Sequence, residues 1–88
     1  MKSIIIDDKK APREALETLL GKYCPTVEVI ATANNVSEGL QIIEQQTPQL
    51  VFLDVEMPDG TGFDLLEKLG NIPFQYDRQI LFLKTIFI

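Results

Sequence analysis

Three aspartates that follow apolar runs are the residues of this 88-residue chain best suited to chemistry. Asp7 and Asp8 come directly after the run at residues 4–6, and Asp54 comes directly after the run at residues 50–53. Carboxylates grouped without histidine or thiolate suit a hard cation, and Mg²⁺ takes one or two protein carboxylates together with water and phosphate oxygens. A carboxylate beside such an ion can also accept a phosphoryl group. The pattern predicts a magnesium site, with Asp54 as the candidate nucleophile.

The composition excludes several other kinds of site. The chain has no histidine and one cysteine, Cys24, so zinc sites, histidine-dependent triads and an internal disulfide are excluded, and the cytoplasm is the expected compartment. It carries 13 acidic against 8 basic residues, for a net charge of −5, which argues against direct binding of nucleic acid. Since the longest apolar run is much shorter than the roughly 20 residues that cross a bilayer, no membrane segment is expected.

The hydrophobic pattern predicts strands that alternate with helices. Strands are expected at residues 4–6, 27–30, 50–53 and 80–83, and helices at residues 12–20, 35–46 and 62–69. In the first helix, Ala15, Leu16, Leu19 and Leu20 share one face and Gly21 is the expected stop. In the second, Asn35 is the expected N-cap. In the third, Thr61 is the expected N-cap, Phe63, Leu66 and Leu69 are expected to point inward, and Gly70 is the expected stop.

This alternation predicts an α/β fold with a parallel sheet covered on both faces. Ligands of such sheets bind beyond the carboxyl ends of the strands. If the strand order is 2-1-3-4, Asp7, Asp8 and Asp54 converge at one rim. Two like charges about 5 Å apart repel by roughly 3 kcal/mol at an effective dielectric near 20, so either one acid is protonated or a cation binds.

The segments that carry these aspartates also resemble a known family. Residues 4–8 and 50–62 are similar to the two signatures of the receiver domain of two-component response regulators, and residues 63–66 are most similar to regulators with a LytTR-type DNA-binding output. The resemblance covers residues 1–75, and residues 76–88 diverge from it. It implies one partial receiver domain over residues 1–88. The implied fold is flavodoxin-like, with three layers around a parallel sheet of strand order 2-1-3-4, truncated before the fifth strand.

The resemblance also implies site residues and a partner. Asp54 would accept a phosphoryl group from a sensor histidine kinase. Asp8 and Asp54 would bind Mg²⁺ directly, together with the backbone carbonyl of Glu56, and Asp7 would act through water. Thr85 is the candidate for the switch hydroxyl on the fourth strand.

The chain departs from the family in two places. Lys9 and Lys10 stand where relatives usually carry Glu-Pro, which lowers the expected metal affinity. No lysine followed by proline, which marks the fifth strand in the family, is found. Without a fifth strand the apolar edge of the fourth strand is expected to be exposed, and a homodimer through that edge is expected.

Two functions remain open. The chain is either a working phosphoacceptor module, which is a signalling switch and not a turnover enzyme, or a truncated receiver remnant that cannot switch and acts only as a self-associating interaction module.

Overall fold

A computed structural model describes residues 1–54, 56–69 and 79–83. In chain order, its elements are β1 (Lys2–Ile6), α1 (Lys10–Tyr23), β2 (Glu28–Ala33), α2 (Val36–Gln46), β3 (Leu50–Asp54), β4 (Glu56–Met57), β5 (Gly60–Thr61), α3 (Gly62–Leu69) and β6 (Gln79–Leu83). Among these described residues, no helix is long and apolar enough to cross a membrane.

The main sheet has four parallel strands in the order β2-β1-β3-β6. This confirms the predicted flavodoxin-like α/β fold, with β6 as the fourth strand of the sheet. In the register of the sheet, Ile6 at the end of β1 lies beside Leu53 of β3 on one side and Ala33 of β2 on the other. The carboxyl ends of β1 and β3 therefore meet at the same edge.

The core is divided between the two faces of the sheet, because successive side chains of a strand point to opposite faces. The larger cluster packs strand residues against α2 and α3, and it contains Ile4, Ile6, Ala33, Val36, Ile43, Val51, Leu53, Met57 and Leu65. The smaller cluster lies on the α1 face and contains Ile5, Leu20, Leu50 and Phe52. Neighbouring residues of β1, Ile5 and Ile6, thus anchor different layers.

The first helix is longer than the sequence predicted. It runs over Lys10–Tyr23, so the expectation that Gly21 ends it is wrong. A helix tolerates an interior glycine at a cost of about 1 kcal/mol. The stop comes at Cys24, whose backbone N–H donates to the carbonyl of Leu20 and which precedes a proline, a position where helical geometry is disfavoured.

Only part of the apolar face predicted for α1 is buried. Leu20 is buried and Leu16 packs against the smaller cluster. Ala15 is exposed, and 52% of Leu19 is exposed. The described residues on this face of the sheet cover only the stripe of α1 that carries Leu16 and Leu20.

The second helix follows the prediction closely. The Asn35 side chain accepts a hydrogen bond of 2.7 Å from the Glu38 backbone N–H, which confirms it as the N-cap. Thr47 ends the helix in the left-handed conformation, with φ of 43°, immediately before Pro48. The apolar side of α2 lies on the core, with Val36 and Ile43 buried and Leu40 partly buried.

Residues 56–61 form a tight hairpin. β4 and β5 pair antiparallel, with Glu56 opposite Thr61 and Met57 opposite Gly60. Gly60 has φ of 152°, a conformation that side chains rarely adopt. The hairpin therefore gives residues 56–61 a defined conformation.

The third helix begins where the sequence predicted. The Thr61 hydroxyl accepts a hydrogen bond of 3.1 Å from the Asp64 N–H, and the Asp64 carboxylate accepts one of 2.8 Å from the Thr61 N–H. Leu65 is fully buried, although the predicted inner stripe omitted it. The structure does not describe the side chains of Phe63, Leu66 and Leu69 or any part of Gly70. Their expected inward orientation and the expected stop at Gly70 therefore stay predictions.

Candidate metal and phosphoacceptor site

The site begins where two neighbouring strands end. Asp54 is the last residue of β3, and Asp7 follows the last residue of β1. Because Ile6 lies beside Leu53, the next residue of each strand continues at the same rim. A hydrogen bond of 3.0 Å from the Asp7 backbone N–H to the Ala33 carbonyl extends the pairing with β2 past Asp7.

Asp7, Asp8 and Asp54 form one carboxylate cluster. An oxygen from each side chain lies within 4.8 Å of the others. Asp54 is 1% exposed and Asp7 is 3% exposed, while the Asp8 side chain is 22% exposed. Burying neighbouring negative charges is unfavourable unless a cation or hydrogen-bond donors compensate them. The cluster is thus an arrangement that a cation stabilises.

The donor set fits magnesium. Mg²⁺ binds oxygen at about 2.0–2.1 Å in an octahedron, so ligands on opposite sides of the ion stand about 4.2 Å apart. The carboxylate oxygens of the three aspartates already lie within 4.8 Å of one another. Small side-chain movements, or water in place of one direct ligand, bring such a set to the required spacing. An all-oxygen cluster is also the kind that this ion prefers.

The turn between β1 and α1 holds Asp7 in place. Its carboxylate accepts a hydrogen bond of 2.9 Å from the Lys9 backbone N–H, and its backbone carbonyl accepts one of 2.9 Å from the Arg13 guanidinium. The N-terminus of α1 follows directly, and its dipole favours nearby negative charge. The local backbone therefore positions Asp7 without the ion.

Lys9 places a positive charge at the cluster. Its ammonium lies 3.2 Å from Asp8 Oδ1. The hydrogen bond to Asp8, together with the negative charges of Asp8, Asp54 and Asp7, raises the pKa of the Lys9 ammonium above its ordinary value. Lys9 is therefore charged at neutral pH.

Asp59, an acid outside the carboxylate cluster, contacts the start of α2. The Asp59 carboxylate accepts hydrogen bonds of 2.8 Å from the Val36 N–H and 3.1 Å from the Ser37 N–H, at the start of α2. These two hydrogen bonds lower the pKa of Asp59 below its ordinary value. No local sequence pattern indicates this contact, because its partners lie 23 and 22 residues away along the chain.

A groove lies beside the cluster. It encloses about 420 Å³ between the start of α2 and the hairpin, and it is lined by Asp8, Asn34, Asn35, Ser37, Pro58 and Asp59. Asp8 is the member of the cluster that borders it, so a small ligand in the groove can reach the cluster from that side.

The structure brings together three of the predicted site residues, Asp7, Asp8 and Asp54. Glu56 lies in β4, two residues beyond Asp54, and its role as a backbone ligand stays a prediction. Thr85 lies outside the described residues, so its role as the switch hydroxyl also stays a prediction.

Comparison with protein families gives a match over nearly the whole chain. The profile described as "Response regulator receiver domain" matches residues 4–85. The matched stretch contains both aspartate-bearing segments and the fourth strand of the sheet.

Curated relatives with different outputs are similar to this chain. A sensory transduction protein LytT of Enterococcus faecalis is 39% identical over 72 residues, which are 82% of this chain and 29% of that protein. A protein-glutamate methylesterase/protein-glutamine glutaminase of Nitratidesulfovibrio vulgaris is 39% identical over 83 residues, which are 94% of this chain and 22% of that protein. The chain thus spans less than a third of these relatives, and the similarity includes LytT proteins, in line with the predicted resemblance.

Solved receiver structures share the fold. The signal receiver domain of a putative response regulator NarL from Mycobacterium tuberculosis superposes with a TM-score of 0.84 at 20% identity, covering 94% of this chain and 64% of that one. The response regulator domain of Thermotoga maritima CheB gives a TM-score of 0.82 at 18% identity, covering 96% of this chain and 60% of that one. At these identities the likeness establishes the fold.

Proposed function

The chain belongs to the response regulator receiver domain family, and from that premise we propose that it is the phosphoacceptor module of a two-component system. In this proposal a sensor histidine kinase phosphorylates Asp54 in the presence of Mg²⁺. The observation that carries the proposal is the meeting of Asp7, Asp8 and Asp54 within 4.8 Å at the carboxyl ends of two adjacent strands. The chain acts as a switch, in the cytoplasm, and not as a turnover enzyme.

Asp54 is the nucleophile in the proposed transfer. One of its carboxylate oxygens forms a bond to the phosphorus of a phosphohistidine while the P–N bond breaks. The electron pair of that bond stays on the imidazole nitrogen, and the imidazole leaves as neutral histidine with its proton on the other ring nitrogen. The product on this chain is an acyl phosphate at Asp54.

The remaining acids would hold the metal. Asp8 and Asp54 would bind Mg²⁺ directly with the backbone carbonyl of Glu56, and Asp7 would act through water. The ion, when bound, neutralises the negative charge of the transferred oxygens. Asp7 is suited to an indirect role, because the Lys9 backbone N–H already occupies one of its carboxylate oxygens at 2.9 Å.

Access to Asp54 requires local movement in this proposal. Its side chain is 1% exposed, so a phosphoryl donor cannot reach it unless neighbouring side chains yield. The groove that borders Asp8 is the proposed approach, since it is open and about 420 Å³ in volume. Phosphorylation would then reorient the Thr85 hydroxyl and change a partner-binding face, in longer relatives a face that governs a LytTR-type DNA-binding output.

The test is direct phosphorylation of the chain. Incubated with Mg²⁺ and acetyl phosphate, the wild-type chain is expected to gain the mass of one phosphoryl group, in a form that hydroxylamine removes. Asp54→Asn is expected to gain nothing, whereas Glu44→Gln, at an exposed acid on α2, is expected to react like the wild type. Absence of the adduct in a chain whose circular dichroism shows it folded would overturn the proposal.

The alternative of a non-switching remnant is not favoured, since the family profile covers both aspartate-bearing segments. The phosphorylation experiment decides between the two functions.

Self-association belongs to the same proposal. Among the described strands, β6 is the outermost on its side of the sheet, where it pairs with β3. An outer strand presents backbone donors and acceptors to another chain, so we expect a homodimer formed through this edge. Light scattering at micromolar concentration is expected to give the dimer mass, and a monomer there would contradict the expectation.

A further inference from the structure

We propose that Lys9 is a resident counter-cation of the carboxylate cluster, which a divalent ion must displace before it binds. This inference rests on the proposed function, because it takes Asp8 as a metal ligand. It adds a residue that sets how tightly this chain binds metal and that balances the cluster when no metal is bound.

The contacts of Lys9 hold it at the cluster. Its ammonium lies 3.2 Å from Asp8 Oδ1, and its backbone N–H donates to Asp7 Oδ1 at 2.9 Å. The Lys9 side chain is 32% exposed, against 77% for the neighbouring Lys10. Lys9 is thus bound to two of the three clustered acids through two different groups.

The three acids lie close enough together for one cation to act on all of them. Oxygens of Asp7, Asp8 and Asp54 lie within 4.8 Å of one another, and the Lys9 ammonium is hydrogen-bonded to Asp8. The ammonium therefore attracts all three carboxylates, not Asp8 alone.

A divalent ion and Lys9 compete for the Asp8 carboxylate. Asp8 Oδ1 is the oxygen that accepts from the ammonium, and a metal bound through it must replace that hydrogen bond. An ammonium that remains nearby repels the incoming double charge. The long flexible stem of lysine lets the head group move into solvent, so the result is weaker metal binding and not a blocked site.

Lys10 provides a matched control. It carries the same charge one residue further along, but its ammonium lies 3.8 Å from Glu14 on the exposed surface of α1. Exposed ion pairs of this kind contribute little to stability. Removing the Lys10 charge changes the net charge of the chain as much as removing the Lys9 charge, without touching a contact to the cluster.

The experiment is a titration of the full chain with Mg²⁺, in which calorimetry and thermal unfolding measure the binding. Lys9→Met is expected to bind Mg²⁺ roughly three- to tenfold more tightly than the wild type. Lys10→Met is expected to differ from the wild type by at most about twofold, the effect of a screened surface charge. Lys9→Arg keeps the charge and is expected to stay close to the wild type.

A metal-free measurement completes the test. In EDTA, Lys9→Met is expected to unfold at a lower temperature than Lys10→Met, because the cluster loses its counter-cation, and Mg²⁺ is expected to remove that difference. If Lys9→Met does not fold in EDTA, Lys9→Gln, which keeps a hydrogen-bond donor, is titrated instead.

The outcomes separate this inference from the proposed function. Equal Mg²⁺ affinities for Lys9→Met and Lys10→Met would overturn the role of Lys9 and leave the magnesium site standing. Absence of Mg²⁺ binding in the folded wild type and in every variant would overturn the magnesium site itself, and the counter-cation role with it.

Discussion

The Asp59 carboxylate accepts a hydrogen bond of 2.8 Å from the backbone N–H of Val36, the first residue of α2. The same carboxylate accepts a second hydrogen bond, from Ser37, at 3.1 Å. A carboxylate at this position satisfies N–H groups that the helix itself cannot pair, and it interacts favourably with the helix dipole. The hairpin beyond Asp54 is thereby joined to α2.

Asp59→Asn is expected to lower the melting temperature at neutral pH and to flatten the loss of stability in acid. The pKa of Asp59 is depressed in the folded chain, so its contribution to stability is fully present above the unfolded value of about 3.9 and is lost as the pH falls through the folded value. Urea unfolding between neutral pH and acid measures both effects. Glu44→Gln, at an exposed acid on α2, the helix that Asp59 contacts, is the control. If Asp59→Asn and the wild type lost stability equally as the pH falls, the prediction would be contradicted.

Asp54→Asn is expected to stabilise the metal-free chain. The substitution removes one of the converging charges of the cluster, and we expect the free energy of unfolding in EDTA to rise by about 1–3 kcal/mol. Chemical denaturation in EDTA is the measurement, with the exposed Glu17→Gln on α1 as the control for a change of net charge. A fall in stability would mean that the buried carboxylate is net stabilising without metal.

Two glycine-to-alanine substitutions in helices are expected to have opposite effects. A Cβ on Gly21 has no atom within 4 Å, so Gly21→Ala is expected to raise the free energy of unfolding by about 0.5–1 kcal/mol. A Cβ on Gly39 would lie 2.7 Å from Ile6 Cδ1 and 3.2 Å from Leu65 Cδ1, both in the packed core. Gly39→Ala is therefore expected to lower the free energy of unfolding by about 1–3 kcal/mol. Thermal unfolding of both variants checks the pair, and a gain in stability for Gly39→Ala would show that Ile6 can move.

Two leucine-to-alanine substitutions test the assigned core. Leu65, on α3, is fully buried within the larger cluster, and Leu65→Ala is expected to lower the free energy of unfolding by about 2–5 kcal/mol. Leu19 is 52% exposed, and Leu19→Ala is expected to change stability by no more than about 0.5 kcal/mol. Urea denaturation compares the two. A cost at Leu19 as large as that at Leu65 would show that another surface covers α1.

Local features were predictable because they depend on residues close together in the chain. The N-cap of α2 pairs Asn35 with Glu38, and the N-cap of α3 pairs Thr61 with Asp64, each three residues apart. The apolar runs identified the four strands of the main sheet, although their bounds moved by a few residues. Gly21 wrongly predicted the end of α1, because a helix ends where the backbone conformation changes, and that change occurs at Cys24.

Contacts between distant segments were not predictable in the same way. The Asp59 cap on α2 and the exposure of Leu19 depend on where separate elements lie relative to one another. Neither has a signature in the neighbouring residues. The difference between Lys9 and Lys10 is of the same kind, because only the direction of the turn after β1 brings one ammonium to the cluster and leaves the other on the surface.

The amino-acid sequence by itself determined the class of the fold, the three acids and the family to which they belong, because period, residue type and motif spacing are properties of the chain alone. The tertiary structure decided which groups meet those acids. The register places Ile6 beside Leu53, which brings Asp7 and Asp54 to the same edge, and the turn places the Lys9 ammonium on Asp8. These are distances through space, and they are set by the packing of the whole sheet and its helices.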